Sequence, residues 1–209
     1  MPETVIPAAP TRRGRPRSQQ SERAILAAAS ELLEEQGFAQ FTIEEVSSRA
    51  KVGKATIYRR WPTKGTLAFD AFQAQFARQP LPDTGSLRGD LLAALRSWIR
   101  AVKGTSTGRT LRGLIAEVQR DPELADVWRD RFVQPVRTRN RTMFDRAVAR
   151  GEIAADADAE VALDLLYGAG YHRLLQSHLP LSDRFATTVV DLMVSGLGAG
   201  EPGGGSSGA

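Results

Sequence analysis

The sequence predicts an all-α protein of about nine helices, a short N-terminal bundle of helix-turn-helix type followed by a larger helical domain. Three observations carry this prediction. Apolar residues recur at three- and four-residue intervals through nearly every segment between residues 18 and 197. Cap residues, first-turn prolines and terminal glycines divide those segments at helical lengths. The one run with strand propensity, Thr187-Thr-Val-Val190, has no second strand to pair with.

Taken in order, residues 1–17 are rich in Pro and Arg without periodicity and read as a mobile arm. The first helix is expected to start at Ser21, an N-cap residue, with Ile25, Ala28, Ala29, Leu32 and Leu33 on one stripe, and to end at Gly37. Thr42-Ile-Glu-Glu45 has the spacing of a capping box and opens a short second helix through Ala50. Gly53 precedes a third from Lys54 to about Arg60. Pro62 suits the first turn of a fourth, carrying Leu67, Phe69, Phe72 and Phe76. Residues 79–86, with Pro80, Pro82 and Gly85, break the pattern.

Beyond the break, Leu87, Leu91, Leu92, Leu95, Trp98, Ile99 and Val102 trace one amphipathic helix, and Leu111, Leu114, Ile115 and Val118 another. Asp121-Pro122-Glu123 combines a cap, a proline at the first position and an acid at the positive end of the dipole. That helix is expected to reach Arg150 with a kink at Pro135. Two more follow at 158–177 and 182–197, and residues 198–209 form a Gly/Ser tail.

Composition narrows the function. The chain lacks cysteine, which removes disulfides, thiolate catalysis and Cys-type zinc sites, and its two histidines, His172 and His178, leave little for His-based chemistry. No apolar run approaches the ~18 residues of a bilayer span, and the first ten residues lack the apolar core of a signal peptide. A soluble cytoplasmic protein is expected. The net charge of +4 is unevenly placed. Residues 1–65 carry 11 Lys/Arg against 7 Asp/Glu, whereas residues 66–209 carry 17 of each. That asymmetry suggests a polyanionic partner for the N-terminal end.

The segment that fits such a partner is Thr42–Trp61, TIEEVSSRAKVGKATIYRRW: a capped helix, a turn containing a glycine, and a short helix rich in Lys, Thr, Tyr and Arg. Ile43, Val46, Val52 and Ile57 supply the apolar contacts that lock the two helices. Lys54, Ala55, Thr56, Tyr58, Arg59 and Arg60 form the opposite face, which in a major groove offers hydrogen bonds to base edges, methyl contacts and charges for phosphates. Lys64 sits at the start of the next helix, where free N–H groups favour a phosphate. On periodicity alone an αα-corner with a solvated basic face fits equally.

Residues 21–67 resemble the N-terminal domain of the TetR family of transcriptional regulators. ATIYRRWPTKGTL is similar to the family pattern T-[IL]-Y-x-[HR]-[FW]-x-x-K-x-x-L, with Gly37-Phe38 and Phe41-Thr42 upstream in the right order. The resemblance implies DNA contacts from Thr42, Lys54, Thr56, Tyr58 and Lys64, the last two chiefly to the backbone, with Ala55, Arg59 and Arg60 biasing sequence choice. The family usually reads A-G-V-S through the turn, whereas this chain has Ala50-Lys51-Val52-Gly53. A positive φ at Lys51 would cost about 1–2 kcal/mol relative to Gly. Arg13, Arg15 and Arg17, in an R-G-R-P-R segment, are a second candidate contact, suited to a narrow minor groove.

The resemblance further implies that residues 66–197 form an effector-binding and dimerisation domain, so that 18–65 is the DNA-binding unit of a homodimeric, ligand-released repressor on a palindromic operator, with no cofactor, metal or membrane partner. Trp98, Glu117, Trp128, Phe132, Phe144, Tyr167 and Tyr171 are the candidate effector pocket, as aromatic or polar groups on inward stripes. Leu165, Leu174, Leu175, Phe185, Val189, Leu192 and Met193 are the candidate dimer face, more apolar surface than one helix stripe needs, with Gly168-Ala-Gly170 allowing a close helix approach.

Two other readings are weaker. Gly104-Thr-Ser-Thr-Gly108 matches the nucleophile-elbow pattern of an enzyme, but it joins two helices as a flexible loop where the elbow needs a strand before the serine. A helical protein-interaction module explains the apolar stripes but not the confined positive charge.

Overall fold

The computed structural model describes residues 15–76 and 80–198, and the regular secondary structure among them is entirely helical. The N-terminal helices are α1 (Arg15–Gln40), α2 (Ile43–Ala50), α3 (Lys54–Tyr58) and α4 (Lys64–Phe76), the last running across the expected boundary between residues 65 and 66. α1 buries the stripe Ile25, Ala28, Ala29, Leu32 and Leu33 in a core to which α2 and α4 contribute. It begins at Arg15, so Ser21 lies inside the helix rather than at its cap. Gly37 (φ 72°, ψ 177°) breaks the helical path, a conformation that costs glycine little. The chain turns there, with Phe38 and Phe41 buried beyond the break.

Thr42 caps α2 as its spacing predicts. Its Oγ1 accepts from the Glu45 N–H at 3.3 Å and donates to the Glu45 carboxylate at 2.7 Å, and that carboxylate also accepts from the Thr42 backbone. Pro62 falls before α4 rather than in its first turn. Thr63 is the residue whose hydroxyl accepts from Thr66 N–H at 3.2 Å.

The larger domain comprises α5 (Leu87–Val102), α6 (Ser106–Val118), α7 (Pro122–Trp128), α8 (Gln134–Ala149), α9 (Ala159–Gln176) and α10 (Asp183–Gly198). α5 is its hub and packs against α6, α8, α9 and α10. Its stripe Leu87, Leu91, Leu92, Leu95, Trp98, Ile99 and Val102 is buried, as the periodicity predicts. The domains meet where α1 and α4 lie on α6 and α4 touches α7. The approach is close: a Cβ on Gly113 of α6 would stand 2.6 Å from Phe38 Cβ.

Two further expectations need correction. Gly104–Gly108 is not a flexible loop: α6 already starts at Ser106, capped by Thr105, whose Oγ1 accepts from Gly108 N–H at 3.0 Å. Gly108 is packed so tightly that a Cβ there would lie 1.9 Å from the Val102 carbonyl oxygen. The helix expected to run from Pro122 to Arg150 is interrupted by a π-helical turn, Arg129–Val133. Pro135 has no N–H to give the Arg131 carbonyl four residues back. The backbone widens by one residue, with Gln134 N–H bonding Arg129 O, and the Gln73 side chain of α4 donates to the Arg131 carbonyl instead. No helix among the described residues is long and apolar enough to cross a membrane.

Candidate DNA-contact face and ligand cavity

Ile43, Val46 and Ile57 are buried between α2 and α3, with Val52 half-buried in the turn. The turn is closed by Val52 N–H to Ser47 O at 3.1 Å and Ser47 Oγ to Val52 O at 2.6 Å, the six-to-one bond of a Schellman motif. This geometry puts Lys51 in the left-handed region (φ 53°, ψ 44°) that the departure from the family's glycine foreshadowed. α2 is clamped to α1 by a two-pronged Arg49–Glu35 pair (2.7 and 2.9 Å) and by Gln36 donating to Glu45 at 2.9 Å. The Arg49 hydrogen bond holds the Glu35 carboxyl below its ordinary pKa, and hydrogen bonds from Thr42 and Gln36 do the same for Glu45.

With that frame fixed, Lys54, Ala55, Tyr58, Arg59 and Arg60 are exposed together and Thr56 is half-buried. Tyr58, at 46% exposure, is a large aromatic side chain facing solvent. Lys54 pairs with Glu44, and Arg60 pairs with Glu22 while lying 5.5 Å over the Trp61 ring. These surface pairs are weak enough for a phosphate to displace. Lys64 is turned inward: its Nζ donates to the carbonyls of Phe38 and Phe41, 3.3 Å each, and lies 4.6 Å from the Phe38 ring centre. It closes the C-terminal end of α1, with one N–H remaining. Thr42 is likewise engaged in its cap. Arg15 and Arg17 belong to the first turn of α1, and Arg13 lies outside the described residues.

α5, the π-helical turn, α8 and α9 line a partly open cavity of about 620 Å³, with Gln73 of α4 and residues 80–82 at its edge, within the usual range for small-molecule sites. Trp98, Phe132, Tyr167 and Tyr171 line it. Glu117, Trp128 and Phe144 do not. Glu117 sits at the domain seam beside Gly65, Trp128 stacks on Phe72 (6.2 Å, 27°) and packs against Phe132, and Phe144 is core. Periodicity brings such residues inward but does not distinguish wall from filling. Asn140 and the π-turn residue Arg131 also line the cavity and were missed. The available signal for Asn140 was an amide at a buried position of a helix.

One polar chain joins this cavity to the DNA-contact face. Trp61, directly after α3, donates its indole N–H to Asp70 Oδ2 at 2.9 Å. Asp70 Oδ1 lies 2.8 Å from Arg131 Nη2, an ion pair off the line of a hydrogen bond. Asp70 is an acid in the otherwise apolar run LAFDAF of α4, which was the available sequence signal.

The candidate dimer residues divide. Leu174, Phe185 and Met193 are buried within the chain and Val189 is half-buried. Leu165, Leu175 and Leu192 are exposed, together with Val161 and Leu179. Gly170 admits another helix's side chain, as expected of a small residue, but it is Trp98 of the same chain, whose ring would be 2.6 Å from a Cβ there.

A basic recognition helix held by a fixed turn, joined to a helical domain with a ligand-sized cavity, defines a helix-turn-helix DNA-binding regulator. Residues 25–71 match the bacterial regulatory proteins of the tetR family, and residues 81–193 the tetracyclin repressor-like C-terminal domain. The chain belongs to the TetR family of transcriptional regulators, which are not enzymes. It is similar to the HTH-type regulator YdeS of Bacillus subtilis, 36% identical over 86% of this chain and 91% of that protein. The DNA-binding transcriptional repressor TetR of Mycobacteroides abscessus is 35% identical over 80% and 88%. The crystal structure of the TetR family regulator SCO0332 superposes with a TM-score of 0.75 at 38% identity, over 85% of this chain and 98% of that one.

Proposed function

We propose that this protein is a ligand-released repressor that binds a palindromic operator as a homodimer and occupies the nucleoid. Two α3 helices enter successive major grooves about 34–36 Å apart, or at a larger separation where two dimers share a site. Tyr58 and the remaining Lys64 N–H meet the backbone, Lys54, Ala55, Thr56, Arg59 and Arg60 reach base edges or phosphates, Thr42 adds a contact from the start of α2, and Arg13, Arg15 and Arg17 add minor-groove or counterion contributions. The exposed stripe of Val161, Leu165, Leu175, Leu179 and Leu192 pairs with its copy in the partner.

The observation that carries the ligand-responsive reading is the Trp61–Asp70–Arg131 chain, which ties a wall of the cavity to the end of the recognition helix. A molecule that fills the cavity beside Arg131 shifts this guanidinium together with its partner Asp70, and with them the anchor of α3. Such a ligand acts by binding the release state more tightly, by several kcal/mol for a complete switch. The experiment is fluorescence anisotropy with labelled duplexes from the gene's own upstream region at two salt concentrations, against a scrambled duplex. Palindrome-dependent binding that weakens with salt is expected. No binding at low salt would overturn the proposal.

A further inference from the structure

The chemistry of the cavity wall goes further than the presence of a cavity. Resting on the reading of this cavity as the effector site, we infer that its ligand is an uncharged, largely apolar aromatic molecule carrying a hydrogen-bond-accepting oxygen, and that Tyr167 is the residue that recognises that oxygen.

Two of the three arginines on the cavity wall are already paired with carboxylates. Arg137 is held by Glu160, by the Glu160 carbonyl and by Asp164, so the one carboxylate on the wall, Asp164, and this arginine neutralise each other. Arg131 faces Asp70 and lies 5.4 Å from the centre of the Phe69 ring. Arg139 is exposed to solvent. An anion inside the cavity would have to displace carboxylates from Arg131 or Arg137, and a cation would sit among three arginines. Either exchange costs more than the entry of a neutral molecule.

The apolar wall has a defined shape. Trp98 meets Tyr171 edge-on at 5.2 Å and Tyr167 at 6.4 Å. The missing side chain of Gly170 seats the indole, while Gly168, exposed on α9, lines the cavity with nothing within 4 Å of where its Cβ would stand. Rings at these angles offer both faces and edges to a planar guest.

The hydrogen-bond directions specify the polar end of the ligand. Asn140 Nδ2 donates to the Tyr167 hydroxyl at 3.1 Å, and Trp98 donates to the Tyr171 hydroxyl. Each phenolic oxygen therefore already accepts, and each phenol retains one proton to give. No described residue accepts the Tyr167 proton. Burial pushes both phenols up to about 12, so that proton is present throughout the physiological range. A half-satisfied network facing a cavity is completed by a guest that accepts. A carbonyl or ether oxygen does this without introducing charge.

The test uses the full-length protein and two fluorescent naphthalenes of similar size. One is 6-propionyl-2-(dimethylamino)naphthalene, a neutral aryl ketone whose emission reports both polarity and hydrogen bonding at its carbonyl. The other is 1-anilinonaphthalene-8-sulfonate, an anion. Each is titrated into the wild type, Tyr167→Phe and Gly168→Trp, with circular dichroism confirming the fold and sedimentation an unchanged oligomeric state. The ketone is expected to bind the wild type at least tenfold more tightly than the sulfonate. Tyr167→Phe should weaken it about tenfold and shift the emission of the ketone that still binds to the blue, a signature that loss of packing alone does not give. Gly168→Trp should exclude it. Tighter binding of the sulfonate, or ketone affinity and emission indifferent to Tyr167→Phe, would overturn the ligand class, while exclusion by Gly168→Trp would leave the cavity intact as the site. Failure of the ketone to bind, or binding indifferent to both substitutions, would overturn the ligand class and the cavity reading together.

Discussion

Replacing Asp70 with alanine tests the link on which ligand response depends. Trp61 is 2% exposed, and its indole N–H has Asp70 as acceptor. Removing that acceptor leaves a buried donor unsatisfied, a cost of about 1–3 kcal/mol. The ion pair to Arg131 adds less, because Arg131 is about half exposed and such pairs contribute about 0.2–1 kcal/mol. Asp70→Ala should therefore destabilise the protein by roughly 1–4 kcal/mol, lowering Tm by about 2–4 °C per kcal/mol for a chain of this length. The double-mutant cycle with Trp61→Phe isolates the bond between them. Urea unfolding followed by circular dichroism at fixed protein concentration should give a coupling of about 2 kcal/mol, as for a hydrogen bond to a charged group. Operator affinity should fall in Asp70→Ala as the end of α3 loses its anchor. Additivity to within about 0.5 kcal/mol would refute the idea that Asp70 holds Trp61.

Four further outcomes are expected. Lys51→Gly relieves the left-handed backbone strain and, after glycine's entropic cost, stabilises the fold by roughly 0.5–1 kcal/mol in thermal unfolding; a loss of stability would contradict the φ of 53°. Lys64→Met removes two hydrogen bonds from the end of α1, costing about 1–3 kcal/mol; if its remaining N–H meets a phosphate, the log–log salt slope of operator binding also flattens by about one, and an unchanged slope would limit Lys64 to holding the fold. Leu192→Glu places a charge on the most exposed leucine of the apolar stripe (71%) and should give a monomer in sedimentation experiments with weakened operator binding; an unchanged dimer would place the interface elsewhere. Glu35 and Glu45 have folded pKa values below their unfolded ones, so their contribution is complete above the ordinary glutamate range and is lost as pH falls below it through the lowered folded values; Glu35→Gln should blunt acid loosening of the N-terminal unit in circular dichroism, and an identical acid profile would remove the clamp from the account.

The N-terminal unit was legible because its signals are local. A T-x-x-E box, a glycine break and an ordered motif fix caps, turns and faces within a few residues, and the structure places Thr42, Lys51 and Ile57 accordingly. The larger domain is decided by which side of each helix meets which neighbour, and local pattern does not encode that. α9 is apolar around most of its circumference, so periodicity could not separate the buried Leu174 from the exposed Leu175. Phe144 and Trp128 read as well for a pocket as Tyr167 does, because a buried aromatic ring has the same sequence signature in a core as on a cavity wall. Lys64 carries the family pattern, yet its inward hydrogen bonds span more than twenty residues of sequence and leave no local mark. The Asp70–Arg131 pair spans a still longer stretch of sequence.

Pro135 has a consequence for how movement can be observed. By withholding its N–H it makes the hydrogen-bond ladder of the α7–α8 segment depend on Gln73, a side chain of a different helix. The integrity of that ladder is then a record of where α4 stands. When α4 shifts, the Arg131 carbonyl loses its borrowed donor, and the amides beside the π-helical turn should exchange with solvent faster, without any label attached to the protein. Pro135→Ala would return a donor of the helix's own and silence that record, separating displacement of α4 from unfolding of the segment beside it.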